Sequence, residues 1–244
     1  MPLDAVGLVL LSAALHAGWN VLTKSSVDPK LFSLMTGLIT VPLALAALAA
    51  LPLEAIPPAA WGYMALSGVI HTLYIYALSA AYHGGEISYV YPIARSAPAF
   101  VPVLAWWAFG EAVSAPGWWG IAAVTAGLFL LQLEGPTLAQ GVRGLGRFLR
   151  RPAAAWAFVT LGTVVAYSLV DKAGMVAMAG AAGLPQGLRA LVYFLIMVSI
   201  SSTLYAAVLW RQRGRISWGI WRGEWRQILL STAGGLASYS LILH

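Results

Sequence analysis

Ala17-Gly18-Trp19-Asn20-Val21-Leu22-Thr23-Lys24, near the start of the chain, returns past its middle as Val165-Ala166-Tyr167-Ser168-Leu169-Val170-Asp171-Lys172. Each string closes an apolar run on a lysine and carries an aromatic residue at its third position. A second pair follows in the same order: Trp61-Gly62-Tyr63-Met64-Ala65-Leu66-Ser67 and Trp225-Arg226-Gln227-Ile228-Leu229-Leu230-Ser231. Apolar helices resemble one another by composition, so neither match decides much alone. Their shared order reads as an internal repeat.

Outward from those strings lie eight apolar spans. Five precede a polar middle: Leu3–Thr23, Leu31–Leu53, Ala60–Tyr82, Ile87–Phe109 and Pro116–Leu133. Three follow it: Ala153–Val170, Leu188–Trp210, and one that begins near Trp225 and is still apolar at Leu243. Their lengths of about 17–24 residues suit an α-helix crossing roughly 30 Å of hydrocarbon. The expected fold is an all-α polytopic membrane bundle of eight transmembrane helices, five plus three of a five-plus-five plan. Residues 1–134 form the first repeat, residues 135–152 a basic Gly-rich connecting loop, and residues 153–244 an incomplete second repeat. An odd number of helices per repeat makes the two halves cross the membrane in opposite senses, as in many secondary transporters. The chain thus reads as a fragment truncated at its C-terminus. If it truly ended at His244, a homodimer or a degenerate cavity would be the alternative.

Composition agrees. The chain has 244 residues, 60% of them hydrophobic and 9% charged, against about 25% charged in a soluble domain. Such a chain cannot cover a water-facing surface, so the bilayer is its first partner. Cysteine is absent, which excludes disulfides and thiolate metal sites. The net charge of +6 does not point to nucleic acid. Its basic residues cluster in short stretches beside the spans, the ordinary positive-inside signal. Lys24, Lys30, Arg143, Arg147, Arg150, Arg151, Arg211, Arg213, Arg215, Arg222 and Arg226 share one side; Lys172 and Arg189 take the other. The first side, with loops 135–152 and 211–226, is expected to be cytoplasmic, leaving the N-terminus outside.

Arg95 is the sharpest candidate for function. It lies about 12 Å into the fourth span, where a charged side chain usually faces a cavity or a partner. On one continuous helix Ser88, Tyr91, Arg95, Pro98 and Pro102 would share a face. Snorkelling to the headgroups is the alternative. All eight carboxylates read as lying at span ends or in loops. Arg95 then has no obvious buried counter-ion, and an anionic group on a substrate would supply one. A proton relay through Asp or Glu would be missing as well. His16, Trp19, Asn20 and Lys24 form a polar and aromatic stripe on the first span, and His71 and Tyr74 a shorter one on the third. Helix–helix hydrogen bonding, about 0.6–2 kcal/mol per contact, accounts for either histidine as well as a binding role does. In the second copy Tyr167, Ser168 and Lys172 take the stripe, and Val164 stands where His16 does. No metal site and no cofactor are expected, because no two-His helix with an acidic ligand occurs.

Three of these stretches together resemble the EamA-like transporters of the drug/metabolite transporter superfamily. They are His16-Ala17-Gly18-Trp19-Asn20-Val21-Leu22-Thr23-Lys24, then Tyr91-Pro92-Ile93-Ala94-Arg95 leading to Gly110-Glu111, and Trp118-Trp119-Gly120 through Gly127-Leu128-Phe129-Leu130-Leu131. The resemblance implies ten helices in two repeats, a central cavity, and export of small metabolites across a bacterial inner membrane. It puts Tyr74, Tyr91 and Arg95 on the cavity wall, with His16 and Asn20 nearby. The chain departs from that pattern in lacking a second-half partner for the fourth span and a tenth helix. Its charge bias also reverses the cytoplasmic N-terminus drawn for many members. The expected function is secondary transport of small anionic or zwitterionic metabolites. Tyr74, Tyr91, Arg95, His71, His16, Trp19, Asn20, Tyr167 and Ser168 are the candidate binding residues. A membrane-embedded enzyme acting on a lipid or peptide, or a non-transporting scaffold, are the alternatives. Ser67 and His71, four apart on one helix, would need an orienting acid to serve the enzyme.

Overall fold

The computed structural model describes residues 3–110, 112–131, 133 and 137–242. Glu111 of the Gly-Glu ending, Glu134, and the end of the eighth span at Leu243 lie outside them. Among the described residues every regular element is helical: α1 (Leu3–Ser25), α2 (Pro29–Leu38), α3 (Thr40–Ala50), a 3₁₀ turn at Leu53–Ala55, α4 (Pro58–Gly84), α5 (Ile87–Ala94), α6 (Ala97–Phe109), α7 (Ala115–Leu131), α8 (Leu138–Phe148), α9 (Pro152–Met178), α10 (Gln186–Arg213) and α11 (Ile220–Ile242). All eight predicted spans are thus mainly helical among the described residues. Five stretches of the described residues are long and apolar enough to cross a membrane: 6–25, 29–50, 58–84, 152–178 and 186–213. Leu10, Leu45, Trp107, Leu131 and Leu230 are exposed. Large apolar side chains in that number suit a solvent of lipid rather than water.

Local chemistry sets the helix ends and breaks. The Asp28 carboxylate accepts from the N–H groups of Lys30 and Leu31, each at 3.1 Å, and Pro29 opens α2 where its missing N–H costs nothing. α2 and α3 part at Ile39, because Pro42 cannot donate to the carbonyl of Leu38. Pro98 has the same effect on Ala94, so the fourth span is not one helix. It breaks at Arg95 and Ser96 into α5 and α6. The carbonyl of Pro92, which loses its regular donor there, takes the Ser96 hydroxyl at 2.7 Å. α6 and α10 stop at Gly110 and Gly214, whose φ values of 69° and 68° only glycine adopts easily.

Three boundaries differ from the sequence reading. The sixth span does not end at Val170: α9 runs on to Met178 and carries Asp171 and Lys172 inside it. The connecting stretch 135–152 contains a helix, α8, whose Phe148 ring stacks on Tyr89 at 5.1 Å. Much of the basic stretch 211–226 is helical too, in the ends of α10 and α11. A polar, Gly-rich composition marks the membrane surface without forbidding helix there.

Contacts divide the chain into two compact units, residues 1–72 with 170–244 and residues 73–169. In the first, α1 packs along α11, α2 and α3 pack on α10, and α2 also touches α11. The Ser12 hydroxyl donates to the carbonyl of Ser238 at 2.7 Å, and that of Thr232 to the carbonyl of Thr36 at 3.2 Å. Ile56, Met64, Met178, Leu184, Val192, Tyr193 and Ile196 form a buried apolar cluster at one end of the unit. In the second, α5 and α6 pack on α7. There Tyr76 meets Trp156 edge-on at 5.4 Å, and Gly85 lies close against Ala153.

Candidate functional site

The predicted binding residues fall into the two units. Residues 73–169 hold Tyr74, Tyr91, Arg95, Tyr167 and Ser168; the other unit holds His16, Trp19, Asn20 and His71.

In the first group, Arg95 stands where the fourth span is unwound, with φ −101° and ψ 9°. The expected single face from Ser88 to Pro102 does not exist, because Pro98 interrupts it. One Arg95 guanidinium nitrogen (Nη2) donates to the Tyr74 hydroxyl at 3.3 Å, and its carbon lies 5.5 Å from the centre of the Tyr91 ring. Tyr167 meets Tyr74 edge-on at 5.5 Å. Tyr82, nearly fully buried, is the fourth phenol interacting with the guanidinium. The cluster draws on α4, α5 and α9 and lies within one compact unit. A cation at an interrupted helix, walled by aromatic rings, can hold an anionic group and stack a planar one. Ser168 donates back to the carbonyl of Val164 at 2.7 Å, a bond within α9.

In the other unit, the stripe on α1 bonds along its own helix. Asn20 donates to the carbonyl of His16 at 2.7 Å, and Trp19 Nε1 reaches His16 Nδ1 at 3.3 Å. Asn20 is fully buried.

His71 is part of a set that the sequence concealed. No carboxylate was expected deep in a span, yet Asp171 sits two turns, about 10 Å, inside the end of α9. Its Oδ1 accepts hydrogen bonds from the Ser67 hydroxyl of α4 and, at 3.0 Å, from the Tyr193 hydroxyl of α10. His71 Nδ1 lies 3.2 Å from Ser67 Oγ and 3.0 Å from the carbonyl of Ser67. A carbonyl only accepts, so Nδ1 carries a proton. The orienting acid that Ser67 and His71 were expected to lack is therefore present. It binds the serine, however, and not the histidine. A hydrolytic triad places the histidine between acid and nucleophile, with a bare nitrogen toward the hydroxyl. Here the serine is in the middle, and its proton is directed at the acid.

Sequence reasoning missed Asp171 and Tyr193 because α9 was ended too early. The available signal was the repeat itself, which pairs Asp171 with Thr23, inside the first span.

The sequence profile of the EamA-like transporter family matches residues 4–133. The chain belongs to the EamA-like transporter family. No curated protein and no solved structure matches it. An EamA-like chain is a membrane transporter of the drug/metabolite type. Among the described residues, the Arg95 cluster and the Asp171 set each bring ionisable groups together from different helices.

Proposed function

We propose that this EamA-like protein is a secondary transporter that exports small metabolites bearing an anionic or zwitterionic group. It works as a multi-pass protein of a bacterial inner membrane. The observation that carries the substrate class is Arg95, held at an unwound point in the fourth span among Tyr74, Tyr82, Tyr91 and Tyr167.

The helix contacts support an inverted repeat. α1 and α11 are the first helix of one repeat and the third of the other, and they pack together. α4 and α9 are the converse pair, and they meet through Ser67 and Asp171. The second spans, α2 with α3 and α10, pack on each other. A two-fold axis exchanging the repeats would produce this pattern of contacts. The excess of Lys and Arg on one side argues that stretches 135–152 and 211–226 are cytoplasmic and the N-terminus outside.

Flux measurements on the full chain in proteoliposomes test the proposal. The solutes are radiolabelled amino acids, carboxylic acids and amines. Solutes with a carboxylate should be carried, and Arg95→Gln should slow them at least tenfold, since losing one partner of a buried charge pair costs about 2–5 kcal/mol. Arg95→Lys should retain part of the rate. Unchanged carriage of a carboxylic acid by Arg95→Gln would remove the substrate class. Release of a chemically altered solute would favour the enzyme instead.

A further inference from the structure

We propose that Asp171 is a reversible proton-binding site that couples this transporter to a proton gradient, a role that rests on the transport reading above. The geometry around the carboxylate carries the inference. Both hydroxyl donors, from Ser67 and Tyr193, converge on Oδ1. Oδ2 is thus the position for a proton, and loading it breaks neither hydrogen bond.

The groups facing Asp171 are neutral donors. α4 presents the fully buried Ser67, with His71 Nδ1–H behind it. α10 presents Tyr193, itself buried. Arg189, one turn earlier on α10, directs its guanidinium at the carbonyls of Leu184 and Ala179 at 3.1 and 3.0 Å. Lys172 follows Asp171 on α9 and, at about 100° per residue, departs from its face. An ionised carboxylate in such surroundings keeps two hydrogen bonds and, among the described residues, no salt bridge. Burial in a membrane helix penalises the charged form and the two donors favour it, so a change in these surroundings shifts the balance between the two forms.

The site also sits at a place that can change. Ser67, Asp171 and Tyr193 come from three different helices and meet at similar depth, about 10–13 Å from the helix ends at Pro58, Met178 and Gln186. Tyr193 is also part of the buried apolar cluster with Met64, Met178 and Ile196. Any movement of α10 against α9 separates Tyr193 from the carboxylate and alters its hold on the proton. A sodium ion fits less well. To bind at Oδ1 it would have to displace the two hydroxyl hydrogens that now point at that oxygen.

The proton itself is the probe. Infrared difference spectra of the purified full chain, titrated with acid, should show a protonated-carboxyl band that Asp171→Asn removes. Tyr193→Phe and Ser67→Ala each withdraw a donor from the charged form. Each should move the midpoint of that band to higher pH by about one unit, a tenfold change in proton affinity. A solute carried in the flux assay should respond to an imposed pH gradient in wild type and not in Asp171→Asn. A band that survives Asp171→Asn, or none across the pH range in which the protein stays folded, overturns the site. Flux that responds to sodium and not to pH overturns the coupling. If no solute is carried, the transport reading fails, and the infrared titration alone still decides whether Asp171 binds the proton.

Discussion

Gly174→Ala should destabilise the protein, although alanine is the better helix former. Gly174 lies one turn beyond Asp171 on α9, beneath the ring of Tyr193. A Cβ built there falls 2.5 Å from the Tyr193 hydroxyl oxygen and from Cε2, and 2.7 Å from Cζ. Ordinary contact needs about 3.5–4.0 Å, so the ring must withdraw by about 1 Å. The phenol now donates to Asp171 at 3.0 Å, and that withdrawal takes it out of hydrogen-bond range. A bond to a charged group is worth about 1.5–3 kcal/mol, and forced repacking adds about 1 kcal/mol or more. Replacing glycine within a helix returns about 0.5–1 kcal/mol. The balance is a loss of about 2 kcal/mol, or a fall in Tm of about 4–8 °C at this chain length. Gly162→Ala is the control: it lies on the same helix, and a Cβ there meets nothing within 4 Å. Thermal unfolding in detergent, followed by tryptophan fluorescence, compares the two. In a Tyr193→Phe background the Gly174→Ala cost should shrink, because the hydrogen bond is already gone. The reasoning fails if Gly174→Ala melts like Gly162→Ala, or if its cost is the same with and without the Tyr193 hydroxyl.

Three further outcomes follow from other parts of the molecule. Tyr74→Phe removes the 3.3 Å hydrogen bond to Arg95; with such bonds worth about 0.5–1.5 kcal/mol, it should raise the KM for a carboxylate solute by up to about tenfold and leave the fold intact by circular dichroism. Pro98→Ala returns a donor to the carbonyl of Ala94, so helicity should rise slightly while flux falls as the break at Arg95 closes. At Asp28, burial raises the carboxyl pKa, but hydrogen bonds from Arg213 (3.2 Å to one nitrogen), Leu31 and Lys30 outweigh it, and the net shift is downward. A depressed folded-state value means that stability is fully present above the ordinary carboxylate pKa near 4 and is lost as pH falls through the lower value. Asp28→Ala should therefore cost about 1–2 kcal/mol of thermal stability at neutral pH, through the lost cap and a half-exposed ion pair. The gap from wild type should narrow in acid.

Much of the fold could be read without coordinates because the bilayer imposes it. A span must be apolar over its whole length and must satisfy its backbone internally, so each appears as a run of about twenty apolar residues. Among the described residues, all eight runs proved mainly helical. Ends and interruptions were harder to place. Pro42 and Pro98 were visible, but proline in a membrane helix can kink, break or be absorbed, and only the surrounding donors decide which. Ser96 answering for Pro92 is such a donor. Val170 looked like the end of a helix because Asp171 and Lys172 follow it. In fact the hydroxyls of Ser67 and Tyr193 satisfy the Asp171 carboxylate, and α9 runs on for about two more turns.

Membership in a class was therefore in the residues: an all-helical membrane chain, an arginine in a span, and the strings that mark an EamA-like transporter. Arg95 could be picked out because a charge surrounded by apolar sequence is conspicuous along one dimension. Asp171 could not, since its meaning depends on Ser67, more than a hundred positions away, and on a tyrosine that fits only above a glycine. Hydropathy is a property of consecutive residues, and the chain states it directly. Which polar groups meet across helices depends on how those helices are rotated and shifted against one another, and that was settled only by packing.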